Sequence, residues 1–463
     1  MHGSAQRLRR ALRGGQRLSR HGFAPPHAGE TPRARPALGL LAMACAALPA
    51  VLGNEAQAQQ AAASQAAAAA PALDDQLDAA EADGDRPRRQ LVAWNSYEGP
   101  YFTLRVGAGL LWDYSAYAQD ADSKDQMMLS PTDGFRDFRL LFKGRFPKVK
   151  GLSYTIGYMY DGAKKDWRFR QTGLMYDVPA LLGSIFVGRT KEGISTNKIM
   201  VGYQGWTNER ATVNDALIPI LGDGVKWTGG IPSGKLVYNV GYFYDKYSET
   251  ESFNKNDNQF VARAVWLPNM GTDKALLHLA LEGRWADAND GQLQYRSKPE
   301  AFLAQSYAID TGKFAANHAN TLGFEAYYRP GPLMFGMEYF FNQVSSPEND
   351  NPLFHGGEIF ASYLFTGELH PYNTKGAYFE AVSPAQPVFE GGPGALEVVL
   401  RYSYSDFDSG KIRGGKFWRI TPVLNWYMSD NVRLEFVYGY GQLDRFGLTG
   451  ATQFFQTRIQ LQL

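Results

Sequence analysis

From residue 101 to residue 463 apolar and polar residues alternate in runs of about ten, and the runs break at Gly, Pro, Asn or Asp. A period of two belongs to β-strands, whose successive side chains point to opposite faces. The final run, "TQFFQTRIQLQL" (452–463), sets Phe455, Thr457, Ile459, Leu461 and Leu463 against Phe454, Gln456, Arg458, Gln460 and Gln462. Chain ends are usually frayed and polar, so a chain that stops on a two-faced strand implies a partner for that strand. "FRDFRLLFKGRF" (135–146) opposes Phe138, Leu140, Phe142 and Phe146 to Asp137, Arg139, Lys143 and Arg145. "ALLHLALEGRWA" (275–286) opposes Leu277, Leu279, Leu281 and Trp285 to His278, Glu282 and Arg284.

The alternation predicts sixteen strands, centred near 107, 140, 156, 172, 186, 226, 240, 263, 280, 324, 337, 360, 400, 421, 436 and 458. Their connections alternate in length. One set is long (116–134, 162–166, 191–222, 246–257, 287–318, 344–353, 408–413, 443–452). The other is tight, as in "PKVKG" (147–151), "GIPSG" (230–234) and "PG" (330–331), with one exception at 367–392. Tight turns at one end and long loops at the other describe an all-β, antiparallel up-and-down barrel of the outer-membrane type. About sixteen strands enclose an aqueous channel rather than a filled core. The charged face is therefore expected inside and the Leu, Phe, Val and Tyr face against lipid. Closure follows, because a free sheet edge in hydrocarbon leaves backbone groups unsatisfied at several kcal/mol each. The last strand must pair with the first.

Composition agrees. Aromatic residues make up 14%, and no apolar run of eighteen residues marks a spanning helix. Eight arginines precede "ALGLLAMACAALPAVLG" (37–53) and the small-x-small site Ala56-Gln57-Ala58, so 1–58 is expected to be a signal peptide. The sole cysteine, Cys45, lies inside it, and Ala42 stands where a lipoprotein signal has Leu. Without that segment the chain has no cysteine and does not depend on disulfides. Residues 59–98 are low-complexity and then charged, and are expected to be a tether, with 99–463 the barrel. Residues 1–58 hold eight of the 47 basic and two of the 46 acidic residues, which leaves 39 against 44 and a net charge of −5. That balance gives no bulk basic field for nucleic acid. His278, His318, His355 and His370 are too dispersed to specify a metal site, and no nucleophile elbow, phosphate-binding glycine loop or paired-carboxylate motif stands out. No cofactor is expected. A barrel enzyme would need a Ser–His pair at the rim and fewer strands. A secreted soluble β-sandwich would bury the Leu and Phe face.

Several stretches resemble the phosphate-selective porin O and P family: "FTGELHPYNTKGAYFEAVSP" (365–384), "GALEVVLRYSYSDFD" (394–408) and "LNWYMSDNVRLEFVYGYG" (424–441), with looser matches at "FRLLFKGRF" (138–146) and "YDGAKKDWRFRQTGLMY" (160–176). The resemblance implies a homotrimer of sixteen-stranded barrels in the outer membrane of a Gram-negative bacterium. It also implies that the third and fifth outer loops and one long periplasmic turn fold into the lumen. These correspond to 191–222, 287–318 and 367–392. Outer-membrane lipids and small anionic solutes are the partners it implies.

Anion preference needs cations along a low-dielectric channel, and guanidinium stays charged and fits phosphate oxygens. Many modest sites serve conduction better than one tight site. On lumen parity the candidates are Arg105, Arg139, Lys143, Arg145, Arg168, Arg170, Arg263, Arg284, Arg401 and Arg433. Loop candidates are Lys191, Lys198 and Arg210 in 191–222, Lys313 in 287–318 and Lys375 in the turn. Glu282 near Arg284, Glu397 near Arg401 and Glu435 near Arg433 leave structural ion pairs as the competing reading of those three. The chain departs from the family pattern at Asp137, between Arg136 and Arg139, where an additional Arg is usual, and at Leu463, where a terminal Phe is usual. Phosphate, pyrophosphate and small anions in general remain candidate solutes, with a nonselective pore as the alternative.

Overall fold

The computed structural model describes residues 95–162, 164–244, 256–268 and 275–463. The expected signal peptide, and the expected tether up to residue 94, lie outside the described residues. Sixteen long strands follow one another: β1 (Thr103–Gln119), β2 (Thr132–Arg145), β3 (Leu152–Asp161), β4 (Asp166–Val178), β5 (Gly183–Thr190), β6 (Gly222–Ile231), β7 (Leu236–Tyr244), β8 (Asn256–Trp266), β9 (Leu276–Ala288), β10 (His318–Arg329), β11 (Leu333–Ser345), β12 (Leu353–Leu364), β13 (Ala395–Ser409), β14 (Ile412–Tyr427), β15 (Val432–Arg445) and β16 (Leu448–Gln462). Each is antiparallel to the next, and β16 pairs with β1 from Gln462↔Gly109 to Thr452↔Gln119, which closes the barrel. The terminal strand thus has the partner its two faces required.

Because the closing strands are staggered, β16 ends before β1 does. The start of β1 is covered instead by Ser96–Glu98, which pairs back onto Thr103–Arg105, while Ala108 and Leu463 exchange backbone hydrogen bonds of 3.2 and 2.8 Å. No backbone edge is left open there, as closure in hydrocarbon demands.

The expected strand positions hold, but two expected loops shrink. β13 and β14 are joined by Gly410 and Lys411 alone, and β15 and β16 by Phe446 and Gly447 alone. Phe446 and Gly447 both have positive φ (59° and 75°), which suits the primed two-residue turns of hairpins. Phe in place of Asn or Asp concealed that turn in the sequence.

The outward face is apolar. Phe169, Ile359, Phe260, Val187 and Leu281 are each more than half exposed to the surroundings. The inward face carries the charge, but along β8–β16 it does not line water as expected. The third loop (191–221), the fifth loop (289–317) and the sixth turn (365–394) fold into the lumen and bury it. The inserted segments bring their own apolar faces, so a core lies inside the barrel. Ile194, Val213, Leu217, Tyr295 and Phe314 of the loops pack with Phe340, Phe354, Phe407 and Phe454 of the wall. Gly439 on β15 answers to a close approach. A Cβ there would sit 2.3 Å from the Arg419 Nε, so glycine makes room for a guanidinium inside the lumen.

Candidate functional site

Four neighbouring strands, β9 to β12, each turn one glutamate inward: Glu282, Glu325, Glu338 and Glu358. Glu325 lies directly opposite Glu338, and Glu338 directly opposite Glu358. Like charges in such register repel. The third loop resolves this with a one-turn helix, α1 (Thr196–Ile199), whose free N–H groups point at the row. Ser195 N–H donates to Glu282 (2.6 Å), Thr196 N–H to Glu325 (2.9 Å) and Asn197 N–H to Glu338 (2.9 Å). The side chains of Ser195, Thr196 and Asn197 add bonds to Glu338 (2.7 Å), Glu325 (2.8 Å) and Glu358 (2.8 Å). The other end of α1 is met by cations. Lys191 Nζ donates to the carbonyls of Ile199 (2.9 Å) and Met200 (2.5 Å), and Arg210 to those of Asn197 (2.5 Å) and Met200 (3.0 Å).

The rest of the loop is tied by arginines of the wall. Arg263 donates to the Thr196 hydroxyl (2.9 Å) as well as to Glu325 of β10 (2.7 Å), and Arg284 bonds Glu192 (2.9 Å). Arg401 reaches Glu300 of the fifth loop (2.5 Å) and the Glu209 carbonyl (2.7 Å). Arg433 donates to the Gly205 carbonyl (2.7 Å). Glu209 sits between Arg136 (2.8 Å) and Arg458 (2.6 Å). Burial pushes its carboxyl up, but those two guanidiniums more than offset this and hold it at about 2. From the opposite end, the sixth turn places Tyr372 against His278 (2.8 Å), whose other ring nitrogen meets Glu325 (2.9 Å). Trp206 of the third loop stacks on Phe360 (4.4 Å) and meets Phe379 of the turn edge-on (5.9 Å). Two of the four dispersed histidines, His278 and His370, are thus built into these ties, with His370 against Glu397 (2.6 Å).

Once one arc of the wall is covered, open space remains along the other. A cavity of about 770 Å³ lies between the third loop and the first strands, lined by Arg139 and Lys143 of β2, Arg170 of β4, and Lys191 and Tyr203 of the loop. Two carboxylates, Glu380 and Asp430, also line it. Burial pushes the Lys191 ammonium well down, and Arg210, Arg139, Arg170 and Lys226 add to that push. Arg105 lies opposite Lys143 in register, and both are exposed, as is Arg145 two residues on.

The predicted cations therefore divide. Arg139, Lys143, Arg170 and Lys191 line the cavity, Lys191 with its Nζ on the Ile199 and Met200 carbonyls, and Arg105 and Arg145 flank Lys143. Arg168 is paired with Asp166 (2.6 Å). Arg263, Arg284, Arg401, Arg433, Lys198 and Arg210 are held by carboxylates or carbonyls; Lys198 bonds Asp215 at 2.6 Å. Lys313 and Lys375 are exposed and do not line the cavity. Sequence reasoning passed over Lys226, whose Nζ bonds the Lys191 carbonyl (3.0 Å), and Arg458, although both stand on inward parity. It also passed over the row of glutamates, whose common height on four strands is set by register.

The family described as phosphate-selective porin O and P matches residues 104–463. A Caulobacter vibrioides protein, described only as uncharacterized, is 30% identical over 190 residues, which is 40% of this chain and 37% of that protein. Among solved structures, in-vitro folded OmpT, an outer membrane protein of Vibrio cholerae, superposes with a TM-score of 0.50 at 11% identity, over 79% of this chain and 99% of that one. The anion-selective porin from Comamonas acidovorans gives a TM-score of 0.49 at 12% identity, over 78% of this chain and 100% of that one.

Proposed function

Because this chain belongs to the phosphate-selective porin O and P family, we propose that it is a passive outer-membrane channel that favours small anions, phosphate among them, on their way into the periplasm. One observation carries the reading: the lumen segregates charge. Glu282, Glu325, Glu338 and Glu358 are engaged beneath the third loop, while Arg139, Lys143, Arg170 and Lys191 line the cavity. A mature chain with an acidic balance thereby turns four basic side chains to the cavity, beside the two carboxylates Glu380 and Asp430. Walls of low dielectric focus that field on the solute. Several cations in sequence, none enclosing the ion, suit throughput.

The second reading is a nonselective pore. It draws on Arg139, whose guanidinium is matched by Asp137 (2.6 Å), and on the two carboxylates at the cavity. Reversal potential in a potassium chloride gradient separates the two. A potential of the anion-selective sign supports the proposal, and a potential near zero or of opposite sign overturns it. Added phosphate then reports the solute, since a binding site for it lowers the chloride current. We also propose the homotrimer implied by the family. Mass determination of the detergent-extracted protein tests it, with a monomer as the refuting result.

A further inference from the structure

We infer that Asp137 sets the strength of anion preference, by holding back the charge of Arg139. The inference rests on the channel reading above. A β-bulge carries it: Leu111 pairs with Asp137 and Trp112 with Phe135, so Arg136 is the extra residue. The bulge turns both Arg136 and Asp137 into the lumen, where strict alternation would admit one. Asp137 is fully buried. It accepts from Arg139 Nε (2.9 Å) and Nη2 (2.6 Å) and from Arg136 Nη1 (2.7 Å).

These groups belong to a row of alternating charge. Arg139 bonds Asp137, Asp137 bonds Arg136, Arg136 bonds Glu209, Glu209 bonds Arg458, and Arg458 bonds Asp113 (2.6 Å). Three guanidiniums and three carboxylates cancel. The inner members are each held between two opposite charges. Arg139 stands at the end of the row, with one carboxylate on one side and the cavity on the other. Its guanidinium also lies 5.8 Å from the Tyr203 ring, so the third loop fixes its direction. Asp137 itself touches no solute. It acts as a positioning and attenuating residue, and the charge a passing anion meets at Arg139 is the charge that Asp137 leaves uncancelled.

The test uses the mature protein in planar bilayers, with reversal potential read in a potassium chloride gradient. Asp137→Asn should raise the anion-to-cation permeability ratio about fourfold, the factor one unit charge at roughly 5 Å supplies through water. Arg139→Gln should lower it. A purely structural role for Asp137 would leave the ratio unraised in Asp137→Asn whatever Arg139→Gln does, and that result overturns the inference. Should Asp137→Asn fail to fold, Arg136→Gln/Asp137→Asn keeps the net charge of the buried row and frees Arg139. A raised ratio in that variant sustains the inference and an unraised ratio ends it. Wild type of cation-selective sign would remove the functional reading, but the opposed shifts of the two variants would still decide the role of Asp137.

Discussion

Glu325 of β10 receives both the backbone N–H (2.9 Å) and the hydroxyl (2.8 Å) of Thr196, 129 residues away in the third loop. The same carboxylate holds Arg263 and His278, so one side chain joins β8, β9, β10 and the inserted loop. Its removal reaches well beyond one contact.

Glu325→Ala leaves the buried Arg263 guanidinium its more distant carboxylate partner, Glu282 (3.8 Å), and removes the Thr196 bonds at the start of α1. Breaking one partner of a buried pair costs about 3–5 kcal/mol. The variant should give a larger and noisier single-channel conductance as the loop leaves the wall, with a lower unfolding temperature in detergent. An unchanged conductance trace would show that the loop is held by the other three glutamates alone.

Trp206→Ala should loosen the meeting of loop and turn. The ring is fully buried and stacks on Phe360, so its loss leaves a cavity costing about 3–5 kcal/mol. Protease susceptibility should then rise within 365–394 and 191–221 together. Cleavage confined to one of them would argue against the coupling.

Lys143→Gln addresses the passage without touching the anchors. Lys143 is exposed, opposite Arg105. The anion-to-cation permeability ratio should fall by about half at 0.1 M salt and return toward wild type at 1 M, where screening acts within about 3 Å. Gel mobility before and after heating should match wild type, since no buried group is lost.

Acid should act through Glu209. Its carboxyl is held at about 2 in the folded state against an ordinary 4.5. The folded state thus binds fewer protons than the unfolded, so the stabilisation is fully present above 4.5 and is lost as pH falls from there toward about 2. Melting temperature followed from pH 7 to pH 2 should fall less steeply in Glu209→Gln than in wild type. Parallel acid limbs would remove Glu209 from the account.

Much of this was legible from local pattern. Period two located sixteen strands, their number told inside from outside, and the resemblance named the segments that fold inward. The pattern was silent where pairing across distance decides. Arg263 and Glu325 lie 62 residues apart, and Arg458 and Asp113 345 apart, so nothing local separates an anchor from a solute contact. Arg139, Lys143, Arg170 and Lys191 meet because the loop covers the opposite arc, a packing outcome. The bulge that turns Arg136 inward breaks the very alternation used to assign faces. The hairpin at Phe446–Gly447 hid behind a residue seldom found in such turns.

The division of the wall into a gripping arc and a conducting arc has a consequence for how such a molecule can change. Glutamates that clasp the inserted loop are locked to one another by shared partners, so they must vary as a set or not at all. Lys143, exposed on the other side, carries no such obligation. A single exchange there retunes what travels through while the scaffold stays as it was, which leaves new cargo preferences within reach of very few mutations.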